Sequence, residues 1–96
     1  METTGPIKHD EQGGRFVTAA GNEEARLQYR RSGSVMDIYY TYVPESMRGQ
    51  RIAERLSDAA FAYAKAEGLK IIPSCPYVGV TYLKRHPEHQ ELIQTA

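Results

Sequence analysis

The segment Val43-Pro-Glu-Ser-Met-Arg-Gly-Gln-Arg-Ile-Ala53 marks a change in the pattern of the sequence. It joins a segment rich in β-branched and aromatic residues to the segment with the clearest helical pattern in the chain. Pro44 ends the strand because proline has no backbone N–H to donate to a neighbouring strand. A helix that begins here leaves its first N–H groups unpaired and carries partial positive charge, so anions bind at such a position. Arg48 adds a guanidinium that can grip two phosphate oxygens. The junction is therefore a candidate phosphate site, the alternative being a surface loop with a solvated arginine.

The segment after the junction predicts a helix and then a short strand. Apolar residues recur at spacings of three and four over Ile52–Glu67, and Gly68 supplies the left-handed residue that commonly ends a helix. The apolar run Leu69–Pro73 predicts a strand. A strand–helix–strand order implies parallel pairing of the two strands through a right-handed crossover.

Three more strands are predicted before the junction, separated by turn residues; they are Arg15–Ala19, Ala25–Arg31 and Val35–Val43. The tyrosines of the third strand break its alternation, which indicates a bulge or a strand covered on both faces, and we expect them in the core or lining a cleft. The first fourteen residues predict a loose tail with at most a short edge strand. A last helix is predicted from about Tyr77 to Lys84, before Pro87.

The fold class that follows is mixed α/β, of the α+β type. Its sheet is mostly antiparallel, with one central strand–helix–strand crossover and a short C-terminal helix. With 96 residues, the chain has room for one hydrophobic core, so a single domain over residues 1–96 is expected.

Composition excludes several classes of function. The chain has 12 basic and 12 acidic residues, and this zero net charge argues against a nucleic-acid binder. A single cysteine excludes an internal disulfide or a cysteine-rich zinc site, and the three histidines show no metal-binding spacing, so we expect no metal and solvated histidines. No apolar run approaches the roughly 20 residues that span a bilayer, and no signal peptide is visible. We expect an intracellular protein, cytoplasmic or nuclear, without a membrane partner.

The junction resembles a known cofactor loop. Arg48-Gly-Gln-Arg-Ile-Ala53, placed after a tyrosine-rich strand, resembles the acyl-CoA pyrophosphate loop of the GNAT N-acetyltransferase superfamily, usually written Q/R-x-x-G-x-G/A. Three segments narrow the resemblance to the very small, single-domain GNAT proteins. They are Tyr42-Val-Pro-Glu-Ser-Met-Arg-Gly, Ala66-Glu-Gly-Leu-Lys, and Ile72-Pro-Ser-Cys-Pro-Tyr-Val with Arg85-His-Pro-Glu. The resemblance covers roughly Arg15 to Ile93.

One position departs from the family pattern, which has glycine where this chain has Arg51. If the position needs positive φ or a bare backbone beside phosphate, arginine costs affinity. Alternatively, Arg51 supplies a second cationic contact.

The resemblance implies acetyl-CoA as co-substrate and an amine as acceptor. The pantetheine arm is expected to pair with the backbone of Thr41, Tyr42 and Val43, as an added strand does. The pyrophosphate is expected on the loop residues Arg48, Gly49, Gln50, Arg51, Ile52 and Ala53, and Arg85 could reach the phosphates from the last helix. Because the first helices usual in the family are missing here, an open site suits a protein or peptide lysine as acceptor.

The candidate catalytic residues are Cys75 and Tyr82. Cys75 is expected near the thioester, where it could protonate the departing CoA sulfur or carry the acetyl group, or simply pack as a small apolar side chain. Tyr82 lies on the last helix, where many GNAT enzymes have a tyrosine acid, and core packing is the equal alternative. A different class of function also stays open, namely an acyl-CoA-binding or protein-interaction module with little or no catalysis.

Overall fold

A five-stranded sheet and one long helix make up most of the fold. The structure, a computed structural model, describes residues 5–94. The strands run β1 Lys8–Asp10, β2 Arg15–Ala20, β3 Glu23–Ser32, β4 Val35–Tyr42 and β5 Lys70–Pro73, and helix α1 spans Ile52–Glu67. The bounds of α1 match the sequence prediction because residues next to each end mark where the helix begins and ends. At the C-terminal end, Gly68 is left-handed, with φ of 70°, and its N–H bonds back to the carbonyl of Lys65.

The sheet has the order β1-β2-β3-β4-β5. The first three pairings are antiparallel, and β4 pairs with β5 in parallel through the crossover helix α1. The predicted mixed, mostly antiparallel sheet with one crossover is therefore confirmed.

Helix α1 covers one face of the sheet and closes the core. Its buried side chains are Ile52, Leu56, Ser57, Ala60, Phe61 and Ala64. They pack against alternate side chains of the strands, among them Leu27, Met36, Ile38 and Ile71, in a single buried cluster. The hydroxyl of Ser57, which is fully buried, donates to the carbonyl of Ala53 at 2.8 Å, so its polar group is satisfied within the helix.

A bulge interrupts the pairing of β3 with β4 and explains the irregular tyrosines. Gln28 lies opposite Tyr40, whereas Tyr29 lies opposite Ile38, so Tyr39 is the extra residue. The three tyrosines are expected in the core or lining a cleft, and the core is excluded for two of them. Tyr40 is 41% exposed and Tyr42 is 38% exposed, and both lie beside the guanidinium of Arg26.

The N-terminal segment is more ordered than the expected loose tail. Within the described residues, Lys8–Asp10 forms the edge strand β1, and the amide of Gly5 donates to the carbonyl of Ala19. Residues 1–4 of that expected tail lie outside the described range. His9, expected to be solvated, stacks on Phe16 with ring centroids 4.0 Å apart, and its Nε2 lies 2.6 Å from the hydroxyl of Tyr29.

The C-terminal segment packs across α1 and β5. The chain forms wide π-helical turns over Tyr77–Tyr82 and one α-helical turn over Leu83–Arg85, here called together the last helix, followed by 3-10 turns over Pro87–Leu92. The predicted short C-terminal helix is therefore present. Beyond it, Ile93 bridges to Ile71, and the amide of Gln94 donates to the carbonyl of Ile71.

Candidate functional site

A cleft lies at the N-terminal end of α1, where the sequence predicted a phosphate site. Its volume is about 440 Å³. It brings together residues of β4's end, the loop, α1 and the last helix, namely Val43, Arg48, Gly49, Arg51, Ile52, Ala53, Glu54, Tyr77 and Arg85. Seven of the ten residues predicted to bind the cofactor are in this group, and Thr41, Tyr42 and Gln50 are not.

The parallel strands diverge beside the cleft. Their register ends with Ile38 opposite Pro73, and the amide of Cys75 then donates to the carbonyl of Ile38 at 2.9 Å. After that point the chain leaves the sheet and enters the last helix, whereas β4 continues to Tyr42 paired with β3. The outer edge of β4 at Thr41–Tyr42 is thus not covered by β5, which is the arrangement that an added strand-like ligand needs.

The loop between β4 and α1 is held by a short set of contacts. The Nε of Arg48 donates to the carbonyl of Val43 at 3.2 Å, so the guanidinium lies against the end of β4. Gly49 has φ of 86°, a conformation that favours glycine. The side chain of the N-cap residue, Arg51, accepts no hydrogen bond from the first turn of α1, so backbone N–H donors remain there for an anion.

Arg51 has a backbone that favours glycine. Its φ is 58° and its ψ is 31°, and it is the one non-glycine residue with positive φ among residues 5–94. Glycine adopts this conformation without a steric penalty, whereas the Cβ of arginine makes it strained. The side chain nevertheless lines the cleft and adds a cation to it.

An acidic side chain and a histidine also meet in this region, a contact that sequence reasoning missed. Oε2 of Glu54 lies 2.7 Å from Nε2 of His86, and Oε1 lies 3.6 Å from a guanidinium nitrogen of Arg85. The hydrogen bond to His86 lowers the pKa of Glu54, and the same bond raises the pKa of His86. The two residues are 32 positions apart, so no local spacing could reveal the pair.

The two tyrosines of the last helix have different surroundings. Tyr82 is fully buried, and its hydroxyl donates to a carboxylate oxygen of Asp58 at 2.6 Å. Burial raises the pKa of the Tyr82 phenol, and the bond to Asp58 raises it further. Tyr82 is not among the residues that line the cleft. Tyr77 lines the cleft and is half-buried, and burial raises the pKa of its phenol. The geometry therefore favours Tyr77 over the predicted Tyr82 as a phenol within reach of a bound cofactor.

Cys75 lies where the two strands part. Its side chain is buried, and Sγ donates to the hydroxyl oxygen of Thr41 at 3.3 Å. The thiol is thus adjacent to the strand edge expected to pair with the pantetheine arm. This placement agrees with a role near the thioester and equally with packing.

Two further histidines are less solvated than expected. His86 stacks on Tyr82, and His89 lies over Phe61, with ring centroids 4.4 and 5.0 Å apart. Ligand-type atoms of His86, Glu88 and His89 lie within 4.8 Å of one another. A structural zinc site has four protein ligands, and His86 is already engaged by Glu54, so we assign no metal to this group.

Comparisons with known proteins agree with the loop and the fold. A family model described as GCN5-related N-acetyltransferase matches residues 15–92. The chain belongs to this family. The match spans the sheet from β2 onward, the cleft and the last helix, so it includes every residue that lines the cleft.

Several relatives have similar size. The chain is 34% identical over 97 residues to Protein NATD1 of Mus musculus, covering 96% of this chain and 87% of that protein. It is 32% identical to Protein NATD1 of Homo sapiens, with 90% and 78% covered. An NMR solution structure of a GCN5-like N-acetyltransferase candidate from Staphylococcus aureus superimposes with a TM-score of 0.70 at 26% identity, covering 95% of this chain and 89% of that one.

The family membership supports acetyl transfer as the general function and confirms the predicted small GNAT fold. Acetyl-CoA binding is typical of the family. No helix among residues 5–94 has the length and apolar character needed to cross a bilayer.

Proposed function

We propose that the chain transfers the acetyl group of acetyl-CoA to a primary amine. The observation that carries this proposal is the cleft at the N-terminus of α1, which three arginines help to line. Pyrophosphate would bind to the loop amides and to Arg48 and Arg51, and Arg85 would approach from the last helix. Gln50, within the same loop, would contribute its backbone.

The pantetheine arm would extend along the open edge of β4 at Thr41, Tyr42 and Val43. Two features of the structure support this path: β5 has already left the sheet there, and the cleft begins at Val43. An arm bound along this edge would bring the thioester towards Cys75, whose thiol bonds to Thr41.

The transfer itself needs an unprotonated amine and an acid for the leaving group. The amine nitrogen attacks the thioester carbonyl, the carbon–sulfur bond breaks, the nitrogen releases one proton to solvent as the amide forms, and the CoA thiolate takes up a proton. Cys75 or Tyr77 would donate it, because both lie beside the proposed path of the arm. The alternative route forms an acetyl-cysteine on Cys75 before the amine attacks.

The proposed acceptor is a lysine on a protein or peptide. All four strands that precede the cleft are joined by short turns, and α1 is the first α-helix in the described part of the chain. Residues 5–94 therefore contain no earlier α-helix that could wall the region in front of the β4 edge, which suits an acceptor on a large molecule.

Release of free CoA in the presence of acetyl-CoA and polylysine tests this function. We expect Cys75→Ser to fold but to lose about 10²- to 10⁴-fold in rate if the thiol takes part in the chemistry, since general acid–base catalysis usually contributes a rate factor of that size.

Intact-mass measurement without acceptor would show an acetylated wild type only if the route is covalent. CoA binding without turnover by the wild type would instead support a binding module. A Cys75→Ser variant with unchanged turnover would limit Cys75 to packing and leave Tyr77 as the residue to replace.

A further inference from the structure

One carboxylate lies in a cleft that is otherwise suited to anions. Glu54 is in the first turn of α1 and lines the cleft together with the three arginines. A negative charge in this position repels phosphate, and the repulsion is strong where water is partly excluded. Unless it is compensated, Glu54 opposes the binding that the arginines favour.

The structure shows what compensates it. Oε2 of Glu54 is paired with Nε2 of His86 at 2.7 Å, and both side chains are mostly buried. Oε1 is buried and has no hydrogen-bond partner among the described residues; the guanidinium of Arg85 is 3.6 Å away. His86 therefore forms a hydrogen bond with this carboxylate, whereas Arg85 forms a longer ion pair with it from a side chain that is 60% exposed.

We propose that the cationic form of His86 neutralises Glu54 and so allows the cleft to hold the phosphate groups of CoA, which links cofactor binding to a proton on His86. The inference rests on the proposed function. His86 does not line the cleft and acts through Glu54, so it is a positioning residue rather than a catalytic one.

The charged groups around His86 favour its positively charged form. His86 faces Glu54 and Asp58 of α1 and Glu88 of its own segment, whose Oε2 is 3.4 Å from Nδ1, and all of these favour the cation. The rings of Tyr82 and His89 stack against it.

The second member of the pair, Glu54, faces Arg51 and Arg85, and both of these arginines favour its negatively charged form. The pKa of His86 is raised, so its charge is complete below the usual histidine range and disappears as pH rises through the raised value. CoA affinity should fall over that same interval.

Calorimetric titration of CoA between about pH 5.5 and pH 8.5 tests the inference. We expect wild-type affinity to weaken by about tenfold across this range, equivalent to one charge interaction of about 1.4 kcal/mol. His86→Gln keeps a hydrogen-bond donor without a charge, so it should bind weakly even at low pH. Glu54→Gln added to His86→Gln should restore the affinity, because the carboxylate that has lost its histidine cation is gone. His89→Gln removes a neighbouring histidine that does not touch Glu54 and should behave as the wild type.

A His86→Gln variant with the pH dependence of the wild type would overturn the inference, as would a double variant no tighter than His86→Gln alone. Should His86→Gln fail to fold, Glu54→Gln alone decides: the inference requires that the pH dependence be lost, and its retention overturns the idea. A wild type that binds no CoA at any pH overturns the proposed function itself, which is a different result from pH-independent binding.

Discussion

At the scale of single residues, Arg51 combines two opposing effects. Its left-handed backbone is strained for any residue with a Cβ, while its side chain places a cation in the cleft. The first effect acts on the free energy of folding and the second on the affinity for an anion. Replacement by glycine separates the two.

We expect Arg51→Gly to raise the free energy of unfolding and to weaken CoA binding. Removal of the strain should stabilise the protein by about 0.5–1 kcal/mol, since glycine adopts this conformation without a steric penalty. Loss of the guanidinium should weaken CoA binding by several-fold because one cationic contact to phosphate is removed. Chemical denaturation measures the first change and calorimetric titration the second.

Arg51→Lys is the matched control for this prediction. It keeps the charge and the strained backbone, so neither quantity should move far. Tighter CoA binding by the glycine variant would show that the arginine obstructs the phosphate, and the affinity part of the prediction would be wrong.

At the scale of elements, the last helix is attached to α1 by Tyr82. Its ring packs against Phe61, with centroids 5.0 Å apart, and its hydroxyl bonds to Asp58. The helix also carries Tyr77 and Arg85, both of which line the cleft. Tyr82 therefore stabilises the position of an element that completes the cleft, without being part of it.

We expect Tyr82→Phe to destabilise the protein by about 1–2 kcal/mol while turnover changes little. The lost bond is made to a carboxylate, and such bonds are worth more than neutral ones. Thermal or denaturant unfolding gives the stability change, and CoA release gives the rate. A loss of about 100-fold in rate with unchanged stability would instead make Tyr82 the acid that the family resemblance suggested.

Patterns of neighbouring residues were enough to predict some elements of the fold and not enough to predict others. Helix α1 was predictable because its apolar residues repeat with helical spacing and Gly68 ends it. The bulge at Tyr39 could be inferred only as one of two possibilities, because broken alternation does not distinguish a bulge from a strand covered on both faces. The π-helical turns of Tyr77–Tyr82 have no distinct sequence signal, so only a helix of ordinary type was predicted there.

At the scale of the whole molecule, the cleft is a product of tertiary packing. The loop residues could be named from sequence because they form one continuous stretch with a recognisable pattern. Glu54 follows this stretch directly, but nothing in the local sequence distinguishes it from other charged residues of the helix. Tyr77 and His86 reach the region from a distant part of the chain, so their proximity could not be predicted. The sequence thus predicted the loop that lines the cleft and Arg85 of the last helix, and it missed Tyr77 and the pairing of His86 with Glu54.

A ligand in this cleft would contact β4, α1 and the last helix together, so it should stabilise the whole fold. We expect acetyl-CoA to raise the melting temperature, with about 2.7 kcal/mol of added stability at 100 times its dissociation constant. Arg48→Glu should abolish the shift, because it places a negative charge beside the pyrophosphate and removes a guanidinium. Lys65→Glu makes the same charge change near the opposite end of α1, outside the cleft, and should keep the full shift. If Arg48→Glu folds and keeps the shift while Lys65→Glu loses it, the ligand binds elsewhere and the cleft is not the cofactor site.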